Sequence, residues 1–176
     1  MASIASAKPS VKAAAQVDES QFLTFFLGKE MFAIGILNIK EILEYGQLTA
    51  VPMLPAFIRG VINLRGAVVP VVDLSARFGG AQSETTKRTC IVIVEIATTD
   101  GRQEIGMVVD SVSAVLEIPA NDIEPAPEFG AKIRAAFIQG MGKINGRFVI
   151  ILNVDKVLSV DELSLASQAT HMAGVE

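Results

Sequence analysis

The stretch FIRGVINLRGAVVPVVDLSARF, residues 57–78, decides the fold because it occurs twice. Residues 137–158 read FIQGMGKINGRFVIILNVDKVL, and the two stretches align without a gap at a shift of 80 residues. Most aligned pairs are apolar for apolar, and five are identical, namely Phe57/Phe137, Ile58/Ile138, Gly60/Gly140, Gly66/Gly146 and Val69/Val149. A repeat of this length indicates that the chain holds two copies of one small β-rich module.

Turn residues divide the apolar runs into a series of hairpins. The breaks fall at Gly28-Lys29 between QFLTFFL and MFAIGIL, at Gly66, at Asp100-Gly101 and at Asn145-Gly146. Asn-Gly is a strong hairpin signal, because a type I′ turn needs positive φ at both central positions. Spacings of this kind predict small antiparallel barrels or sandwiches rather than βαβ units.

The repeat extends upstream of the duplicated stretch. Ile34-Gly35 precedes the first copy and Ile105-Gly106 precedes the second, which predicts that the second copy carries about nine extra residues, placed in the loop 119–132. A second long loop, 79–88, joins the copies. Asp73 and Asp155 each follow an apolar run, and each is predicted to cap a short helical turn.

Composition excludes several classes of function. No apolar run approaches the roughly 18 residues that span a bilayer, so we expect no membrane insertion. The chain has no Trp, one Tyr and a net charge of -4, which argues against nucleic-acid binding. Cys90 is the only cysteine, which fits a reducing cytoplasm. The first residues lack the apolar core of a secretory signal and are predicted to form a disordered tail.

The sequence also lacks the reactive clusters that enzymes use. His171 is the only histidine, and it lies in the predicted C-terminal tail, so Ser–His and Cys–His arrangements are not expected. Cys90 lies in an apolar run and is predicted to be a buried small residue. No Cys/His cluster offers a metal site and no phosphate-binding loop is present, so we expect no metal and no cofactor. Asp73 and Asp110 remain candidates for acid–base work, against the simpler interpretation that they end strands.

The two copies differ most informatively at Arg65. A turn favours Asn-Gly there, as the second copy has with Asn145, but the first copy has Arg-Gly. A local rule broken in this way often marks a functional position. Arg59 likewise corresponds to Gln139. Glu41 interrupts an otherwise apolar run, and an Arg65–Glu41 ion pair would account for both charges.

Apolar residues near the predicted strand edges offer a second kind of surface. These are Ile36, Ile39, Val61 and Val115. Edges of two small barrels and the seam between them form a natural groove for a helix or another barrel. The alternative, that each residue is simply core, stays open.

In five segments the chain resembles the CheW family of bacterial chemotaxis coupling proteins. These are FLTFFLGKEMFAIGILNIKEIL (22–43), VPMLPAFIRGVINLRGAVVPVVDLSARFG (51–79), CIVIVEI (90–96), IGMVVDSVSAVLEIPANDIEPAPEF (105–129) and FIQGMGKINGRFVIILNVDKVL (137–158). The resemblance implies an all-β fold of two pseudo-symmetric five-stranded SH3-like barrels with short helical turns and disordered termini. The implied organisation is a tail over 1–19, a CheW-like domain over 20–160 whose second intertwined module starts near residue 90, and a helix or tail over 161–176.

The resemblance further implies a cytoplasmic adaptor without catalysis. Its partners would be the regulatory domain of the histidine kinase CheA and the cytoplasmic tip of a chemoreceptor. Ile39, Glu41 and Arg65 match family positions tied to partner binding, and Gly60 and Val115 match positions tied to the receptor groove. Ile36 joins this predicted partner surface. The alternatives are a scaffold of the same fold in another sensory kinase pathway, such as pilus motility, and a small enzyme using Asp73 and Asp110.

Overall fold

The structure is a computed structural model, and it describes residues 20–46, 48–98, 101–125 and 135–158. Within these ranges the protein is all-β, as predicted, with ten strands in two five-stranded sheets and short helical turns between them. The predicted tails 1–19 and 161–176 lie outside the described residues, as do Asp100 and His171. No helix in the described ranges is long and apolar enough to span a bilayer.

Ten strands follow one another along the chain. They are β1 (Gln21–Leu27), β2 (Glu30–Gly35), β3 (Ile39–Glu44), β4 (Ile58–Leu64), β5 (Ala67–Asp73), β6 (Cys90–Thr98), β7 (Gly101–Val109), β8 (Ser111–Glu117), β9 (Ile138–Ile144) and β10 (Arg147–Leu152). Short helices α1 (Leu74–Arg77) and α2 (Val154–Val157) follow β5 and β10. Single 3₁₀ turns lie at Ile36–Asn38, Ala120–Asp122 and Ala135–Phe137.

Each sheet takes strands from both copies of the repeat. The first sheet has the order β3-β6-β7-β5-β4, and the second has the order β8-β1-β2-β10-β9. Each strand of the first sheet corresponds to the strand five numbers later in the second sheet, with the numbering starting again at β1 after β10. The copies have therefore exchanged their first hairpins. The five-stranded sheets confirm the all-β prediction, while closure of each sheet into an SH3-like barrel stays a prediction.

The strand ladders correct the upstream alignment of the repeat. Val71 of β5 lies opposite Gly106, and Ile151, which aligns with Val71, lies opposite Ala33. Ala33 and Gly106 are therefore repeat mates, our term for residues at equivalent positions of the two copies. The prediction that paired Ile34-Gly35 with Ile105-Gly106 was wrong by two residues. A two-residue slip keeps every side chain on its face, so the apolar pattern could not reveal it.

The corrected alignment changes the size of the insertion. Repeat mates are 73 residues apart through β2 and β7, and 80 residues apart through the duplicated stretch. The second copy is therefore longer by seven residues between these segments, rather than by the nine predicted.

The hairpin turns of the duplicated stretch confirm the turn prediction. Asn145 and Gly146 have φ of 50° and 79°, and Arg65 and Gly66 have φ of 52° and 85°. Positive φ at both central positions is what a type I′ turn requires. Arg65 therefore holds a conformation that costs an L-residue with a long side chain about 1–2 kcal/mol, and that Asn adopts more readily.

The short helices carry caps at repeat-mate positions. Asp73 accepts a hydrogen bond from the backbone N–H of Ala76 at 3.3 Å, and Asn153 accepts one from that of Lys156 at 3.2 Å. The prediction was right for Asp73 and wrong for Asp155, which lies in the first turn of α2. An amide oxygen caps as well as a carboxylate does.

Among the described residues, the core has three parts. A shared central cluster joins the two sheets through β1, β2, β6 and β7, and includes Phe25, Ile34, Val94 and Met107. Each sheet has its own smaller cluster on its other face, around Ala33 and Ile151 in the second sheet and around Val71 and Ile93 in the first. Strands β1, β2, β6 and β7 are thus covered on both faces, which explains their nearly continuous apolar sequences.

Candidate partner-binding surface

The two outer strands β3 and β8 are repeat mates. Glu41 lies opposite Ile93 of β6, and Ala114 lies opposite Thr24 of β1, after a register shift in the same place in both ladders. Beyond the strands, the N–H of Tyr45 donates to Thr89 and that of Ile118 donates to Ser20. These matched contacts show which residue of β8 corresponds to each residue of β3.

Glu41 and Arg65 form the predicted ion pair. Nη2 of Arg65 lies 2.6 Å from Oε1 of Glu41, and this contact joins β3 to the β4–β5 turn. The repeat mates of these residues are Ala114 and Asn145, so the second sheet has neither charge. The sequence comparison found the change at Asn145 but missed Ala114, because β3 and β8 share too little sequence to align.

Further charges lie on three adjacent strands of the first sheet, beginning with the neighbour of Glu41 in sequence. Lys40 on β3 lies 3.4 Å from Glu95 on β6, and Arg102 on β7 lies 2.7 Å from the same carboxylate. The hydrogen bond from Arg102, with a smaller contribution from Lys40, holds the pKa of Glu95 below its usual range. Exposed pairs of this kind add little stability. Their consequence is a row of alternating charge that runs from the outer strand β3 across β6 to the central strand β7. The sequence comparison had missed this row.

Arg59, the other arginine that differs between the copies, is part of the interior. Its Nε lies 3.2 Å from Oδ2 of the fully buried Asp73, although the N–H is not aligned for a regular hydrogen bond. Nη2 of Arg59 donates to the carbonyl of Ser83 at 2.8 Å, and the guanidinium lies 5.4 Å from the centre of the Tyr45 ring. Asp73 in turn accepts from the N–H of Ser83 at 2.9 Å. The departure of Arg59 from the second copy, which had suggested a functional position, therefore has a structural explanation.

The two arginines link the same pair of strands at opposite ends. Arg59 lies near the start of β4 and reaches Tyr45, just beyond β3, whereas Arg65 follows β4 and reaches Glu41. Between these links an open groove of about 640 Å³ separates the facing edges of β3 and β4. It is lined by Leu43, Glu44, Gly46, Leu48, Thr49, Val61, Ile62, Asn63, Leu64 and Ile91.

The remaining predicted site residues are spread over both sheets. Ile36 lies in the 3₁₀ turn that ends β2 and Ile39 begins β3, and both pack against the shared core. Gly60 is buried in β4. Val115 is 53% exposed on β8 of the second sheet. The structure thus brings Ile39, Glu41 and Arg65 to one edge and places Val115 on another.

Gly60 has a structural reason to be glycine. It has a φ of 152°, and a Cβ at this position would lie 2.5 Å from the carbonyl oxygen of Thr49. The backbone of Thr49 approaches so closely because it pairs with Val61 through two hydrogen bonds of 2.9 Å. Gly140 lies under the matching pairing of Glu124 with Met141, and a Cβ there would lie 2.5 Å from Cγ2 of Ile123.

The aspartates proposed for an enzyme have structural partners instead. Asp73 binds Arg59, Ser83 and the first turn of α1. Oδ2 of Asp110 accepts the N–H of Gly28 at 2.6 Å and so fixes the β1–β2 turn. Among the described residues, no group of three or more Asp, Glu, Cys or His side chains could hold a metal ion.

Cys90 is half-buried at the start of β6. Burial raises the pKa of its thiol, and the negative charge of Glu44 raises it further. A raised pKa lowers the fraction of reactive thiolate at neutral pH. Cys90 therefore packs against the shared core as expected of a small apolar residue, but it is half-buried rather than buried as predicted.

We expect Glu44→Gln to lower the pKa of Cys90, because the substitution removes the negative charge that disfavours the thiolate. The rate of reaction with a disulfide reagent, followed from pH 7 to 10, should rise at the lower pH values. Glu117→Gln, on the outer strand of the other sheet, is the matched control and should leave the profile unchanged. An identical profile for Glu44→Gln would show that burial alone sets the pKa.

Comparisons with known proteins agree with this architecture. The family model described as a CheW-like domain matches residues 21–162. The chain is 36% identical to a chemotaxis protein CheW of Klebsiella aerogenes over 154 residues, covering 88% of this chain and 90% of that protein. It is 34% identical to the chemotaxis protein CheW of Rhizobium meliloti, over 83% of this chain and 92% of the relative. Protein FrzA of Myxococcus xanthus is 31% identical over 80% of this chain and 86% of its own.

A solved structure has the same fold. The crystal structure of the scaffolding protein TtCheW from Thermoanaerobacter tengcongensis matches with a TM-score of 0.73 and 34% sequence identity. The match covers 82% of this chain and 90% of that structure.

Proposed function

This chain belongs to the CheW family of chemotaxis scaffold proteins, and from that premise we propose that it couples chemoreceptor tips to the histidine kinase CheA in the cytoplasm. It does so by binding rather than by catalysis. One surface binds the kinase regulatory domain and another binds the receptor hairpin. Holding both partners on one rigid body raises their effective concentration and keeps them in register.

The observation that carries this proposal is the charged edge of the first sheet. Glu41 and Arg65 are paired across two strands, while their mates in the second sheet are Ala114 and Asn145. Arg65 is 70% exposed and keeps a costly positive φ. The pair is half-exposed, because the Arg65 side chain lies in solvent while Oε1 of Glu41 is buried. Solvent on the arginine side screens the attraction and limits its contribution to about 1 kcal/mol, so fold stability alone does not account for the pair. We assign the edge formed by Ile39, Glu41 and Arg65 to the kinase.

The second surface is apolar. Val115 on β8 is exposed, and its repeat mate on β3 is Ile42, which is also exposed. Because β8 has Ser113 and Ala114 where β3 has Lys40 and Glu41, a receptor helix with an apolar stripe would bind there at a lower desolvation cost. Gly60 and Ile36 support the two surfaces through the backbone and the core rather than by direct contact.

We expect Arg65→Asn, which copies the second module, to keep the fold and weaken coupling. Asn relieves the positive φ while the ion pair is lost, so the free energy of unfolding should change by less than about 1 kcal/mol. Receptor-stimulated kinase activity and kinase pull-down should both fall. Arg147→Asn, which removes an exposed positive charge next to the equivalent turn, is the control. Full kinase stimulation by Arg65→Asn would make the residue incidental, and unfolding would make it structural.

A charge exchange separates pairing from partner contact. In the double variant Glu41→Arg/Arg65→Glu the internal ion pair can form with reversed polarity. If the pair only braces the strands, the exchange restores coupling that either single variant loses. If the charges contact the kinase, as we propose, the exchanged pair stays defective.

The alternative of a scaffold in another sensory kinase pathway predicts a different result. The chain would then fail to bind CheA and would instead bind the kinase of that pathway. Pull-down with both purified kinases distinguishes the two functions.

A further inference from the structure

Arg77 makes a contact across the pseudo-two-fold axis that relates the copies. Its Nε donates to the backbone carbonyl of Val157 at 3.0 Å. Arg77 ends α1 and Val157 ends α2, and the two are repeat mates, 80 residues apart. A two-fold axis passes midway between any two repeat mates. Because Arg77 contacts its own repeat mate, it lies close to the axis.

The guanidinium also lies between two aromatic mates. Its centre is 5.1 Å from the ring of Phe57 and 4.6 Å from the ring of Phe137. Phe57 leads into β4 of the first sheet, and Phe137 leads into β9 of the second. One cation from the first copy therefore contacts both halves of the molecule at once. Each such contact contributes roughly 0.5–2 kcal/mol, depending on its exposure.

This position is filled asymmetrically. Around it, Leu74 and Val154 are buried repeat mates in the shared apolar core. The hydrophobic driving force is non-directional, so the rotation of the sheets depends on how the core side chains interdigitate and on directional polar contacts. A hydrogen bond and a planar cation between two rings are directional. Two arginines related by the axis would bring like charges together, whereas Val157 supplies a carbonyl acceptor.

We propose that Arg77 is a positioning residue that sets the relative orientation of the two sheets. The Glu41–Arg65 edge of the first sheet and the strand β8 of the second, which carries Val115, are therefore held at a fixed angle. Arg77 would set this orientation in the isolated protein as well. Its consequence for signalling rests on the proposed function, because only a coupler needs both surfaces in register.

The test measures the distance between the sheets directly. Spin labels are attached to cysteines introduced at Val68 and Phe148, which are repeat mates on β5 and β10 and are 64% and 59% exposed. Cys90→Ser removes the native thiol. Pulsed electron spin resonance then gives the distribution of label distances in the full-length chain, before and after Arg77→Met. Methionine keeps the aliphatic stem and the helical preference, but it loses the charge and the donor.

We expect Arg77→Met to widen or shift the distance distribution, with the width growing about twofold as more than one sheet orientation is populated. Arg102→Met, which removes an exposed arginine within the β6–β7 hairpin, is the control and should leave it unchanged. Circular dichroism and the unfolding midpoint are measured for each variant. An unchanged distribution in folded Arg77→Met would overturn the proposal.

A second variant covers the case in which Arg77→Met does not fold. Arg77→Lys keeps the positive charge between the rings but loses the planar face and the Nε donor. It should give an intermediate width, and a wild-type width would again contradict the proposal. The same variants are then titrated with kinase regulatory domain and receptor fragment. Suppose the distribution of label distances widens but kinase domain and receptor fragment still bind together as they do to the wild type. Arg77 would then remain the orienting residue, and the proposed function would be contradicted.

Discussion

Replacing Arg59 by Gln is expected to lower the free energy of unfolding by about 3–5 kcal/mol. The substitution leaves the carboxylate of Asp73 fully buried without its cation, and it also removes the hydrogen bond to the Ser83 carbonyl. Urea denaturation is followed by far-UV circular dichroism, and linear extrapolation to zero urea gives the free energy of unfolding. Arg65→Gln is the comparison variant, because the arginine that it removes is 70% exposed and its partner Glu41 keeps 26% exposure, so it should cost about 1 kcal/mol and less than Arg59→Gln.

The second copy supplies a compensating variant. At the positions of Arg59 and Asp73 it has Gln139 and Asn153, so Arg59→Gln/Asp73→Asn reproduces a combination that the fold already accommodates. We expect the double variant to lose less free energy of unfolding than the two single variants lose together, by at least about 1 kcal/mol, because no charge is left buried. Strictly additive losses would show that the attraction between Arg59 and Asp73 is not what stabilises this site.

Gly60→Ala is expected to cost about 2–5 kcal/mol, from strain at positive φ together with overpacking. The added Cβ would lie 2.5 Å from the carbonyl oxygen of Thr49, which is backbone and cannot rotate away. The pairing between Thr49 and Val61 should break, and amide hydrogen exchange at Val61 should accelerate. Thermal and urea unfolding give the stability change.

Three other glycines make a graded control series for Gly60→Ala. Gly140→Ala meets Cγ2 of Ile123 at 2.5 Å and the Glu124 carbonyl oxygen at 3.0 Å, but Gly140 has no positive φ, so it should cost less than Gly60→Ala by the backbone strain. Gly28→Ala has open space but a φ of 62°, so it should cost only the backbone strain of about 1–2 kcal/mol. Gly35→Ala has neither obstacle and should be close to neutral. If Gly60→Ala costs no more than Gly28→Ala, the close backbone approach is not what requires glycine.

This series also bears on the predicted role of Gly60 in receptor binding. Because Gly60 is buried, a substitution there would disturb binding by moving the segment around Thr49 rather than by removing a contact. Receptor binding by Gly60→Ala should therefore fall in parallel with the protection of the Val61 amide. Loss of binding with normal protection would favour direct contact.

Comparison of the two copies identified the right positions but not their roles. It singled out Arg59 and Arg65 by one criterion, departure from the second copy. The structure divides them into a buried charge paired with Asp73 and an exposed charge paired with Glu41. Burial depends on which segments cover a residue. For Arg59 these are Ser83 and Tyr45, which are distant in sequence.

Other parts of the site left no usable signal in the sequence. Ala114 replaces Glu41 in the second copy, but only the strand ladders show that β3 and β8 are equivalent. Arg77 was not singled out, because an arginine aligned with a valine in a short helix resembles ordinary surface variation. Its contact with Val157 arises from the symmetry of the assembled sheets.

By itself, the sequence determined the all-β class, the duplicated hairpins and the positions of their turns. These properties are local, since alternation of apolar residues and the φ requirements of Gly and Asn act within a few residues. Only the tertiary structure decided that the copies exchange their first hairpins, that the repeat is offset by 73 rather than 71 residues upstream, and that one arginine is buried while another is exposed. Registers that differ by two residues place the same side chains on the same face of the sheet. The pattern of apolar residues therefore cannot distinguish between them, and only the pairing of strands distant in sequence does.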